Sequence, residues 1–130
     1  MRIKHKVNVR IGDDSDMTDL LFAPDDTNAE VVIDGYERMV SGKLSIPLNT
    51  NEDVPLGDIT AVKGIYIIVD QDVVVTLNGG AETIQLRKSG TESTVTAKLF
   101  LEADITQVNI AAPVLLDVVG TWCAWGDATA

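Results

Sequence analysis

The sequence predicts an all-β chain, a single-domain β-sandwich or jelly roll of about eight short antiparallel strands. Three observations predict it. Val and Ile are abundant while only two Trp, two Tyr and two Phe occur, so the core is aliphatic and β-branched, which suits a pleated, half-buried surface. Short apolar runs recur between Gly-, Pro- and Asp-rich breaks, the spacing of a sandwich or small barrel. No stretch carries the apolar spacing of a long amphipathic helix. With 130 residues, 45% of them hydrophobic, the chain can bury a core without disulfides or a structural metal.

The first element is a basic leading strand over residues 1–11. Ile3, His5, Val7, Val9 and Ile11 alternate with Arg2, Lys4, Lys6, Asn8 and Arg10, the period of two that marks a strand with one buried face. Asp13-Asp14-Ser15-Asp16 ends it, and residues 17–28 read as a polar loop interrupted by Leu20-Leu21-Phe22. Strands follow at Glu30–Ile33 and about Arg38–Leu48, then a polar loop from Asn49 to Pro55. Ile65-Tyr66-Ile67-Ile68-Val69 is apolar on both faces, as in a strand covered on two sides. Asp70-Gln71-Asp72 turns the chain into Val73–Leu77, and Asn78-Gly79-Gly80 supplies a hairpin turn, because glycine accepts positive φ. With Gly79-Gly80 as the loop, Val75 faces Ile84, Val73 faces Leu86 and Thr76 faces Thr83. A shifted loop would set Val75 against Glu82. Arg87–Thr94 reads as a loop. Strands are then expected at Val95–Leu101, Ile105–Ala111 and Val114–Thr121, with Ala103-Asp104 and Pro113 between them. Residues 122–130 are expected to fray. Nothing marks a linker or an internal repeat, so one domain is expected over residues 1–130.

Net charge is −10, which argues against nucleic acid, whose phosphates require a basic surface. The charge is uneven. Residues 1–11 carry four bases and no acid, and the remainder carries six bases against twenty acids. A basic strand on an acidic body suggests docking to an acidic neighbour. The leading segment has no apolar stretch of the kind a secretory signal needs, and the apolar segment Ile110–Trp125 is interrupted by Pro113 and Asp117 and is too short to span a bilayer.

Chemistry-bearing residues are few. His5 shares its face with Ile3 and Val7 and reads as a structural histidine. Cys123, the lone cysteine, lies between Trp122 and Trp125 and reads as a small packing residue. A Cys–His dyad would also need an orienting group that the sequence does not supply. An EF-hand counted from Asp14 would need glycine at Asp19 and glutamate at Asp25, so that motif fails. A loop-built calcium site at Asp13, Asp14 and Asp16 is the weaker alternative to no cofactor at all.

The run from Leu56-Gly57-Asp58-Ile59 through IYIIVDQDVVVTLNGG (residues 65–80), IQL (84–86) and KLFLEADITQVNI (98–110) resembles small β-sandwich virion proteins of tailed bacteriophages, of the capsid cement or decoration type. The resemblance covers roughly residues 56–121 and lies in strand texture and turn placement. It implies a non-enzymatic, oligomeric protein, most simply a trimer, that binds the major capsid protein or another virion protein and stabilises the particle. It places the chain in the virion, assembled in the host cytoplasm. A tail, neck or head-fibre component, a carbohydrate- or receptor-binding module and a small hydrolase using His5 or Cys123 are the alternatives. The residues expected at interfaces are Arg2, Lys4, Lys6 and Arg10, on the charged face of the leading strand, and Ile65, Tyr66 and Ile67, from the strand apolar on both faces.

Overall fold

The computed structural model describes residues 2–6, 11–12, 20–22, 30–57, 59–80, 82–89 and 96–127. Contacts gather the chain into two compact units, Met1–Gly35 and Tyr36–Ala130, where the sequence suggested one.

The first unit holds β1 (Arg2–Lys6), β2 (Ile11–Gly12), β3 (Leu20–Phe22) and β4 (Glu30–Asp34). β1 pairs antiparallel with β4, setting Ile3 opposite Ile33 and His5 opposite Val31. Of the expected leading strand, Arg2–Lys6 are described as β1, and Ile11 lies in β2, paired with Phe22 of β3. Val7, Val9 and Arg10 lie outside the described residues, as do Asp13, Asp14 and Asp16 of the calcium alternative. Leu20-Leu21-Phe22, read above as part of a loop, is a strand.

The second unit is an all-β sandwich. Its strands are β5 (Arg38–Ile46), β6 (Asn51–Asp53), β7 (Ala61–Val69), β8 (Val73–Leu77), β9 (Glu82–Leu86), β10 (Ala97–Ile105), β11 (Val108–Ala111) and β12 (Val118–Asp127). They form two antiparallel four-stranded sheets, ordered β10-β7-β12-β5 and β6-β11-β8-β9. Alternation puts Leu44 and Ile46 of β5, Ile65, Ile67 and Val69 of β7, and Val118, Trp122 and Ala124 of β12 into the core. From the second sheet come Val73, Val75 and Leu77 of β8 and Val108 and Ile110 of β11, and all of these side chains join one buried cluster. Each such aliphatic side chain taken out of water contributes about 1.5–3 kcal/mol before the entropy of ordering it.

The hairpin forms in the expected register, with Val73 opposite Leu86, Val75 opposite Ile84 and Thr76 opposite Thr83. Its turn is a short 3-10 segment, Asn78–Gly80, with φ of 54° at Asn78, 70° at Gly79 and 99° at Gly80. Asn78 tolerates the left-handed region because its side chain is held: Oδ1 accepts from Thr106 N at 2.8 Å, and Nδ2 donates to the Asp104 carbonyl at 3.2 Å. The hairpin tip is thereby clipped to the β10–β11 connection. Ala103 and Asp104, expected to separate two strands, instead lie within β10, where a bulge between Glu102 and Ile105 absorbs the irregularity.

The largest correction concerns residues 122–130. The chain does not fray at Trp122. β12 runs to Asp127 and is a central strand, paired with β7 on one side and β5 on the other; residues 128–130 lie outside the described ones. The two tryptophans hold it by pointing to opposite faces, each over a glycine of the neighbouring strand. Trp122 faces the core over Gly42, whose missing Cβ would stand 3.0 Å from the indole Nε1. Trp125 lies on the outer face over Gly64, where a Cβ would stand 2.6 Å from Nε1 and closer still to Cζ2 and Cε2. Trp125 is 1% exposed and tilts against Phe100 with ring centroids 5.5 Å apart. Phe100 meets Tyr66 at 6.3 Å. This aromatic row accounts for the apolar outer face of β7. Ile65 and Ile67, expected at an interface, are fully buried in the sandwich core; only Tyr66 of that trio stands on the outer face, half-buried.

Candidate docking surface

The expected strand Val114–Thr121 begins four residues late, at Val118. The reason is local. Pro113 lacks the N–H a ladder needs, and the chain leaves β11 at Ala111 to form a loop laced to the β5–β6 connection. Ala112 N donates to the Thr50 carbonyl at 2.9 Å and Asn49 N to the Pro113 carbonyl at 2.8 Å. Asn49 takes φ of 56° to make this turn. The Asp117 carboxylate accepts from Leu48 N at 2.8 Å, and the Asp70 carboxylate accepts from Val119 N at 2.9 Å. Two carboxylates thus satisfy backbone donors at the loop ends, leaving the apolar side chains between them turned outward.

Those side chains are the surface. Leu115 is 82% exposed and Val114 64% exposed, with Leu116, Leu48 and Val119 each about half exposed. Exposed aliphatic groups gathered in this way are often functional on a protein surface. A loop held at its ends by two backbone–backbone bonds and two carboxylate–backbone bonds has less left to order on binding than a free one. Its rim is polar, with Asn49, Thr50 and Asp117 exposed beside it. An apolar centre with a polar surround is the anatomy of a protein–protein contact.

Other surfaces carry different chemistry. The outer face of the second sheet is amide- and carboxylate-lined: Asn109 Nδ2 donates to Asn51 Oδ1 at 3.0 Å and to Asp53 Oδ1 at 2.9 Å, and Gln107 Nε2 donates to Asp53 at 3.2 Å. On the outer face of the first sheet, Cys123 sits in a shallow depression of about 400 Å³ with Ser41, Lys43, Tyr66 and Thr121. Partial burial pushes its thiol above the ordinary value, which keeps it protonated and weakens it as a nucleophile. Lys63 pairs with Asp104 at 2.6 Å, and that hydrogen-bonded carboxylate raises the lysine's pKa.

No family model, curated protein or solved structure matches this chain. The candidate site therefore rests on geometry. Of the residues expected at interfaces, Arg2 and Lys4 are exposed on β1, and Lys6 closes that strand. The residues sequence reasoning missed are Leu48, Val114, Leu115 and Leu116. The signal that could have found them is three consecutive aliphatics bracketed by Pro113 and Asp117, which neither alternate nor sit between strand-forming neighbours.

Proposed function

We propose that the chain is a non-enzymatic assembly protein, a virion structural protein of the capsid cement or decoration type that binds a larger particle as a homo-oligomer. The observation that carries this reading is the exposed apolar loop Val114–Leu116, with Leu48 and Val119 also exposed. Exposed aliphatic side chains gathered at one loop are often functional on a protein surface, and they suit a chain that docks. A stable contact buries about 800 Å² on each partner, so the loop would be its apolar centre rather than the whole of it. The resemblance of residues 56–121 to phage cement proteins supports the choice of particle, with the major capsid protein as the partner and the virion as the location. Binding only the folded, assembled state would stabilise the particle by mass action.

Replacing Val114, Leu115 and Leu116 together with serine tests this. All three are exposed, so the melting temperature should stay within a few degrees, since surface changes away from special features are small. Occupancy on purified phage particles should fall at least tenfold. Undiminished occupancy would remove the loop from the contact and take the proposal's main support with it.

A further inference from the structure

The sandwich has four outer strands, β10 and β5 in one sheet and β6 and β9 in the other. Exposed edges invite pairing with another chain, and proteins blunt them by shortness, bulges or charge. Three of the four are blunted. β6 has three residues, two of them acids; β9 has five and opens on Glu82; β10 is broken by its bulge after Glu102. β5 differs. It is nine residues long and pairs with β12 residue for residue, without a shift, from Arg38↔Gly126 to Ile46↔Val118. Among the described residues nothing pairs with its other side. Its outer-face side chains Met39, Ser41, Lys43 and Ser45 are exposed, and Met39 is 52% so.

We propose that β5 is a self-pairing edge, joining two copies of the chain antiparallel about a twofold axis at Gly42 and making one continuous eight-stranded sheet. The register follows from the strand itself. Opposite residues in an antiparallel ladder share a face, so Arg38, Val40, Gly42, Leu44 and Ile46, on the core side of β5, must meet one another. Only centring on Gly42 pairs all nine residues. It sets Val40 opposite the second copy's Leu44, Met39 opposite Ser45, Lys43 opposite Ser41, and Arg38 opposite Ile46 at the strand ends. Moving the axis to Lys43 keeps the faces matched but sets lysine on lysine, a repulsive cross-strand pair. Lys43 therefore guards the edge against that register, and the one centred on Ser41 leaves Ser45 and Ile46 without partners in the strand. The contact is isologous and closes at two copies; the trimer implied by the resemblance would need a different contact. This pairing rests on the sheet edge alone and is independent of the apolar loop.

Sedimentation equilibrium of the full chain across the micromolar range, with charge variants at Ser41, tests it. Wild type should be a reversible dimer. Ser41→Lys places two like-charged pairs across the axis and should raise the dimer Kd by roughly two- to thirtyfold, while Ser41→Glu faces Lys43 and should lower it by a similar factor. Adding Lys43→Glu to Ser41→Glu sets acid on acid and should reverse the gain. Ser45→Lys, opposite Met39, should change little, and the triple serine loop variant should dimerise as wild type does. Equal thermal melts measured at concentrations below the wild-type Kd would show that the monomer fold is untouched. A wild-type chain that stays monomeric, or Ser41 variants that shift the dimer in the same direction or not at all, would overturn the proposal.

Discussion

Gly64→Ala isolates the packing that turns the end of the chain into a central strand. One methyl group is added, and it would fall on the indole of Trp125 at distances below the 3.0 Å that real Cβ atoms respect. The obstacle is a rigid ring that is 1% exposed and backed by Phe100, so it cannot give by a few tenths of an ångström. Two responses are open. If the strands part to admit the methyl, overpacking costs about 1–3 kcal/mol. If the indole swings out, the loss approaches the roughly 3–5 kcal/mol of removing a buried tryptophan. We expect about 2–4 kcal/mol, which for a unit of this size lowers the melting temperature by about 10–25 °C. Thermal melts followed by near-ultraviolet circular dichroism measure this, and tryptophan fluorescence should shift red if the ring leaves its site. Trp125→Phe in the same chain should recover part of the loss, because the clash and the ring are coupled. A Gly64→Ala chain that melts within two or three degrees of wild type, with unshifted fluorescence, would refute the placement of Trp125 over Gly64.

Other predictions follow from single sites. Val75 is fully buried, so Val75→Asp should destabilise by about 4 kcal/mol or more in denaturant titrations, through an unpaired charge in the core. Gly80→Val meets open space, yet its φ of 99° should still cost about 1–2 kcal/mol of strain. Cys123 should react with iodoacetamide more slowly in the folded chain than in urea at mildly alkaline pH, since burial raises its thiol pKa and the thiolate is the reactive form. The sign carries to stability: the contribution of this raised pKa is fully present below the unfolded value and is lost as pH rises through the folded one. Replacing Arg2, Lys4, Lys6 and Arg10 with serine should leave the melt of the second unit unchanged but weaken particle binding, and wild-type binding should loosen as salt rises. Binding that ignores both would reduce the basic segment to an edge guard.

The hairpin was legible because two signals agree there: the glycines that the turn needs and an apolar match that only one register satisfies. The buried β7 was legible as apolar on both faces, but sequence could not say what covered each face. Ile65 and Ile67 pack against the second sheet, while Tyr66 joins Phe100 and Trp125 outside. The end of the chain was misread for a physical reason. Glycines and alanines around Trp122 and Trp125 look like a tail until the partner glycines at 42 and 64 are known, and those lie about sixty to eighty residues away in sequence. The exposed loop was hidden by its own hydrophobicity, since Val114-Leu115-Leu116 resembles the start of a strand. Pro113 and the capping of Leu48 by Asp117 decide otherwise, and the second of these is a tertiary contact that no local pattern encodes.

The proposed role in assembly is tested by the copy number of the chain in purified particles, measured by quantitative mass spectrometry against the major capsid protein. The chain should be present at a fixed ratio set by capsid symmetry, and that occupancy should be lost when Val114, Leu115 and Leu116 are replaced by serine. A chain absent from the particles, or present in amounts that vary between preparations and ignore that substitution, would contradict it.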